Sequence, residues 1–128
     1  MKYIKLFEEY EHRFLESRIS NLIKPYRKLG LTIDLYPRFG NSIYLSMLEV
    51  PNELKGQGYA KKLMQDMITF ADNYNLIINL TPSSKFGSDI LKLKDFYSNF
   101  GFIKNNNKLY VGAMIRYPNE SSGRSATS

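Results

Sequence analysis

Cysteine does not occur in the 128 residues, and histidine occurs once, as His12. The missing cysteine excludes disulfides, a thiol nucleophile and a zinc–cysteine centre. One histidine does not suit a multi-histidine metal site or a Ser-His-Asp hydrolase, so no metal is expected. His12 sits among charged neighbours and is expected to be exposed. No apolar run approaches the ~20 residues of a membrane-spanning helix. The N-terminus is charged and amphipathic, unlike a secretory leader, so the expected location is cytoplasmic. Arginine-rich runs are absent as well. The net charge is +6, but the lysines are scattered. That balance suits a basic surface or attraction of an anionic ligand better than a nucleic-acid reader.

What is present suits one domain with a real core. The chain divides into an N-terminal helix within residues 1–25, a core over 29–118, and a polar tail, 119–128, expected to be disordered. Ile4, Phe7, Phe14, Leu15, Leu22 and Ile23 recur near the helical period over residues 3–24, with Pro25 as the stop. Leu31 to Tyr36 alternates as a strand, Pro37 to Asn41 is turn chemistry, and Ser42 to Val50 is a second strand. The two are expected to form an antiparallel hairpin. Leu76 to Leu80 is nearly continuously apolar, as in a strand covered on both faces. Ser88 or Asp89 is placed to cap a helix carrying Ile90, Leu93, Phe96, Tyr97 and Phe100, and Gly101 is placed to end it. Phe102 to Lys104 begins a strand, Asn105 to Lys108 turns, and Leu109 to Tyr117 returns as another strand.

Between the second strand and the next helix lies Lys55-Gly56-Gln57-Gly58-Tyr59-Ala60. Pro51 ends the strand. From Ala60 the apolar residues fall at Leu63, Met64, Met67, Ile68, Ala71 and Tyr74, one face of a helix. Glycines at a helix start let backbone N–H groups approach an anion, and the helix adds partial positive charge. The same glycines also serve a plain strand-to-helix turn. A Walker loop is absent, and Lys61 stands where a dinucleotide fingerprint needs its third glycine. Strand, loop, helix and the buried strand Leu76–Leu80 make one βαβ unit, with a right-handed crossover expected.

This loop resembles the pyrophosphate loop of the GCN5-related N-acetyltransferase (GNAT) family, Arg/Gln-x-x-Gly-x-Gly/Ala, with lysine at its first position. Leu93-Lys94-Asp95-Phe96-Tyr97-Ser98-Asn99-Phe100-Gly101-Phe102 is similar to the family's Leu-x-x-Phe-Tyr-x-x-x-Gly-Phe signature. Met114 to Pro118 looks like its last strand. The resemblance spans Leu31 to Pro118, in the family's order. It implies an α/β (α+β) fold: a GNAT-like mixed central sheet with a βαβ cofactor-binding unit. The N-terminal region is reduced, since one helix stands where members have a strand and two helices. Asp89 and Ile90 occupy the neighbourhood of an asparagine that contacts the cofactor in many members.

The resemblance implies direct transfer of an acetyl group from acetyl-coenzyme A to a primary amine, on a small molecule or a protein. The pyrophosphate would meet backbone N–H groups of Gln57, Gly58, Tyr59 and Ala60, beside Gly56, with charge from Lys55. Leu48 and Val50 would hydrogen-bond the pantetheine arm. Tyr97 would be the acid for the departing thiolate. Glu49 is the nearest carboxylate for the base, with Asp34 or a water chain behind it. The acceptor pocket is expected from the first helix, the Pro37–Asn41 turn and the Thr81–Ser88 loop. The alternative is a non-catalytic binding or structural protein in a phage or regulatory assembly. Met1 to Glu9 also resembles N-terminal peptides of large tailed-phage proteins, which implies a phage origin, in host cytoplasm or virion. An exposed edge strand would offer a route to a dimer.

Overall fold

The computed structural model describes residues 2–83 and 89–119, with side chains from residue 11 onward. The first element, α1, runs from Lys2 to Leu29 and passes straight through Pro25. The expected stop at Pro25 is therefore corrected. A proline inside a helix costs about 3 kcal/mol. Ile19, Ile23 and Tyr26 are buried at i, i+4 and i+7 across it. Burying three such side chains contributes roughly 1.5–3 kcal/mol each, which outweighs the proline. Pro25 is exposed, and so is Asn21, the residue whose carbonyl a proline at 25 cannot bond. Gly30, at φ 113°, ends the helix instead. Leu31 N–H bonds the Tyr26 carbonyl at 3.1 Å and Gly30 N–H that of Arg27 at 3.0 Å, a Schellman closure.

Thr32–Arg38 (β1) and Ser42–Glu49 (β2) then pair antiparallel, from Arg38 opposite Ser42 to Thr32 opposite Glu49. β1 extends two residues beyond expectation and includes Pro37. It is the outer strand of the sheet, where a proline removes no ladder bond that matters. Ile33, Leu35, Pro37, Ile43 and Leu45 are buried, while Thr32, Asp34 and Arg38 are exposed. Asp34 faces Met47 but Leu35 faces Leu45, so Ser46 is an extra residue on β2.

A 3-10 turn at Asn52–Leu54 leads to α2, Tyr59–Asn73. Its buried residues are Leu63, Met64, Met67 and Ala71, the face read from the sequence. The Tyr26 hydroxyl on α1 donates to the Asp66 carboxylate on α2. Burial, then that carboxylate, pushes the Tyr26 phenol well above its ordinary pKa. Asn75, at φ 58°, closes α2 as Gly30 closes α1, with Leu76 N–H on the Ala71 carbonyl at 2.8 Å.

Ile77–Leu80 (β3) lies parallel to β2, from Ser42 beside Ile77 to Leu45 beside Leu80. All four residues of β3 are buried. Strand side chains alternate between faces, so the sheet is covered on both faces at its centre. Ile90–Ser98 (α3) starts at Asp89, whose carboxylate accepts from Leu91 N–H at 2.9 Å. Phe102 N–H returns to the Tyr97 carbonyl at 3.3 Å over Gly101. Ile103–Lys104 (β4) and Met114–Arg116 (β5) complete a five-stranded mixed sheet in the order β1-β2-β3-β5-β4. Among the described residues, no helix is long and apolar enough to cross a membrane.

The expected strand from Leu109 is corrected: only Met114–Arg116 is extended and paired. Asparagine side chains occupy the backbone groups that a ladder would use. Asn105 Nδ2 donates to the carbonyls of Tyr110 and Gly112, at 2.9 and 2.7 Å. Asn107 Oδ1 accepts from Leu109 N–H at 2.9 Å. Gly112 N–H bonds Asn79 Oδ1 at 2.8 Å. A Cβ on Gly112 would lie 2.5 Å from Leu80 N and 2.7 Å from Leu80 O. Both are backbone atoms and cannot swing aside. Gly112→Ala is expected to cost about 1–3 kcal/mol, measured by urea unfolding. A loss under about 0.5 kcal/mol, within the usual range for a neutral surface change, would show that the 105–113 segment shifts freely.

Candidate active site

The β2–β3 ladder stops at Leu45 and Leu80, yet β2 continues to Glu49 against β1. Among the described residues, the inner edge of β2 beyond Leu45 therefore has no strand beside it. A cleft of about 610 Å³ opens there. Its floor is Leu45 to Val50, one wall is the glycine loop with the start of α2, and the other is α3.

The structure brings together most of the residues singled out from sequence. Leu48, Glu49, Val50, Lys55, Gly56, Gly58, Tyr59, Ala60 and Tyr97 all line this cleft. Gln57 does not, because its side-chain amide donates to the Glu53 carbonyl at 3.1 Å. Asp34 does not either; it lies 3.9 Å from Arg27 Nη2. The Pro37–Asn41 segment sits at the opposite end of the hairpin from Glu49. None of its residues lines the cleft, and none of the described side chains of α1 does. The described residues of these two segments are therefore not brought to this cleft. Thr81 and Ser83 do line the cleft, while residues 84–88 of that loop lie outside the described residues, as do residues 120–128 of the tail.

Gly56 and Gly58 have φ of 80° and 83°. A Cβ at either would meet open space, so the backbone, not packing, requires glycine there. Gly58 is the N-cap of α2 and carries no side chain to accept from the first helical N–H groups. The helix ladder begins only with Lys62 N–H on the Gly58 carbonyl at 3.0 Å.

Tyr97 is only 7% exposed, with its ring edge-on to Phe96 and Phe102. Its hydroxyl has no hydrogen-bond partner among the described residues. Burial raises its pKa above the ordinary phenol value, so it stays protonated through the neutral range.

Leu93 and Phe96 were read as core positions, and both also line the cleft. Lys61 and Lys92 were not singled out, and they line it too. A signal existed for both: each sits in the first turn of a helix, where a cation opposes the helix dipole. Among the described residues, no group of three or more His, Asp or Glu side chains is placed to hold a metal ion.

A mixed sheet whose parallel pair parts beside a glycine-capped helix agrees with the GNAT-like layout expected from the sequence. A family model described as an acetyltransferase (GNAT) domain matches residues 8–117. The chain belongs to that family. No curated protein matches it.

Proposed function

We propose that this protein transfers an acetyl group from acetyl-coenzyme A directly to a primary amine. The observation that carries this reading is a conjunction in one cleft. The glycine-capped start of α2, the end of β2 beyond its pairing with β3 and the side chain of Tyr97 all line it.

The residues present fit such a donor. Backbone N–H groups from Gln57 to Ala60, with Lys55 beside them, suit a pyrophosphate. The unpaired edge at Leu48 to Val50 suits an amide-bearing arm laid down like an added strand. The donor brings an activated acyl carbon on sulfur. The chain's part is to orient it and to manage two protons. As the nitrogen–carbon bond forms and the carbon–sulfur bond breaks, Tyr97 Oη gives its proton to the departing sulfur. The carboxylate of Glu49 takes the proton that the amine loses.

The first test is a thermal-shift titration with acetyl-coenzyme A and coenzyme A, followed by thiol release against amines. A saturable rise of a few degrees is expected. No rise at millimolar donor would favour a non-catalytic protein in this fold. Gly58→Val tests the loop directly. A β-branched side chain at positive φ costs at least about 1–2 kcal/mol and enters the cleft. Affinity for coenzyme A, measured by calorimetry, is expected to fall about tenfold or more, since ~1.4 kcal/mol is a factor of ten. Unchanged affinity would mean that the loop holds no pyrophosphate.

A further inference from the structure

β2 continues beyond the cleft floor at Leu45 toward the hairpin tip. The preceding residue of β2, Tyr44, lies opposite Tyr36 on β1, their rings 5.8 Å apart and edge-to-face. The Arg38 guanidinium lies 5.9 Å from the centroid of each ring. The neighbouring residues Leu35, Pro37, Ile43 and Leu45 point into the core, so this trio is on the other face of the hairpin. There Thr32, Asp34 and Arg38 are exposed, and the two tyrosines are only half-buried. Among the described residues no carboxylate pairs with Arg38, whereas Asp34 lies beside Arg27. Phe39, 63% exposed, stands at the hairpin tip.

We infer that the acceptor amine is carried on a polypeptide, which lies across the Tyr36–Tyr44 pair with an acidic side chain on Arg38. This rests on the acetyl-transfer reading above. A small molecule is held by burying most of its surface in a concave site. The described residues of α1 and of the hairpin tip add no wall to the cleft. What the chain does offer, further along the same hairpin, is an open strip of tyrosine and arginine. These residue types carry much of the binding energy at protein contacts. The net charge of +6 draws an acidic partner from further away. The same strand carries Tyr44 in this strip and Leu45, Ser46 and Met47 in the cleft lining.

The test measures acetyl-coenzyme A-dependent thiol release with three probes. These are short lysine peptides flanked by Asp and Glu, the same peptides flanked by Lys and Arg, and the small amines spermidine and glycinamide. The acidic peptides are expected to exceed both other sets in kcat/KM by about tenfold, the size of one good contact. Arg38→Glu should raise their KM about tenfold by the same measure, leave kcat unchanged, and shift preference toward the basic peptides. Turnover of acidic peptides no higher than that of small amines would overturn the inference, as would an unchanged KM in Arg38→Glu. Failure of the underlying reading shows separately, as a wild-type protein whose melting temperature does not respond to coenzyme A.

Discussion

Tyr97→Phe is expected to lower turnover about 10²-fold, the lower end of what a positioned acid contributes, while coenzyme A affinity and melting temperature stay nearly unchanged. The substitution removes one oxygen and keeps the ring. The edge-on contacts with Phe96 and Phe102, at 5.3 and 5.9 Å between centroids, persist. The hydroxyl has no partner among the described residues, so none of those is orphaned by its loss. The pH dependence separates this role from a packing effect. Burial holds the Tyr97 proton above the usual phenol value, so the acid form persists across neutral and mildly alkaline pH. The ratio of wild-type to variant turnover should therefore be flat from about pH 6 to 9, well below the ordinary phenol pKa of ~10. Unchanged turnover in the variant would take Tyr97 out of the chemistry.

The site was more legible in the sequence than its surroundings, for a physical reason. A glycine loop and a helix cap are local devices: Gly56, Gly58, Asp89 and Gly101 act through their own backbone or the next turn. Their conformations follow from residue type, and the structure shows φ of 80°, 83° and 91° at the three glycines. The continuous apolar run of β3 was also a local signal of burial on both faces. Features decided by distant partners were not legible. Pro25 reads as a stop until Ile19, Ile23 and Tyr26 are seen to be buried on both sides of it. Leu109 to Tyr117 reads as a strand until Asn105 and Asn107 are seen to take up the backbone groups of the segment before β5. The Ser46 bulge exists only as a mismatch between two strands, so one strand cannot announce it. Leu93 and Phe96 were legible as apolar but not as cleft wall. Only the parting of β2 from β3 makes one side of α3 face open space.

The residues that hold this arrangement from behind are Asp72 and Arg116, and Arg116→Ala is expected to cost about 3–5 kcal/mol of stability. Arg116 Nη1 and Nη2 donate to the two oxygens of Asp72, at 2.9 and 3.2 Å. Its Nε donates to the Phe100 carbonyl at 3.1 Å. Asp72 also accepts from Asn119 N–H at 2.8 Å. The side chains are only 10% and 16% exposed, so this is not a surface pair worth a few tenths. The cation also sits at the C-terminal turn of α2, where the helix dipole favours it. Removing the arginine takes two charge-assisted hydrogen bonds from a largely buried carboxylate and the Nε donor from the Phe100 carbonyl. At this chain length each kcal/mol lowers Tm by roughly 4 °C, so the variant should melt well over 10 °C below wild type. Asp72→Leu combined with Arg116→Met should recover much of the loss, because the main penalty of either single change is the partner left behind. A loss under about 1 kcal/mol in Arg116→Ala, the value of a solvent-screened pair, would show that water replaces the arginine. The larger loss would mean that the exit of α3, and with it the seat of Tyr97, is clamped to α2 by charge. The cleft would then be rigid on the side that carries its acid.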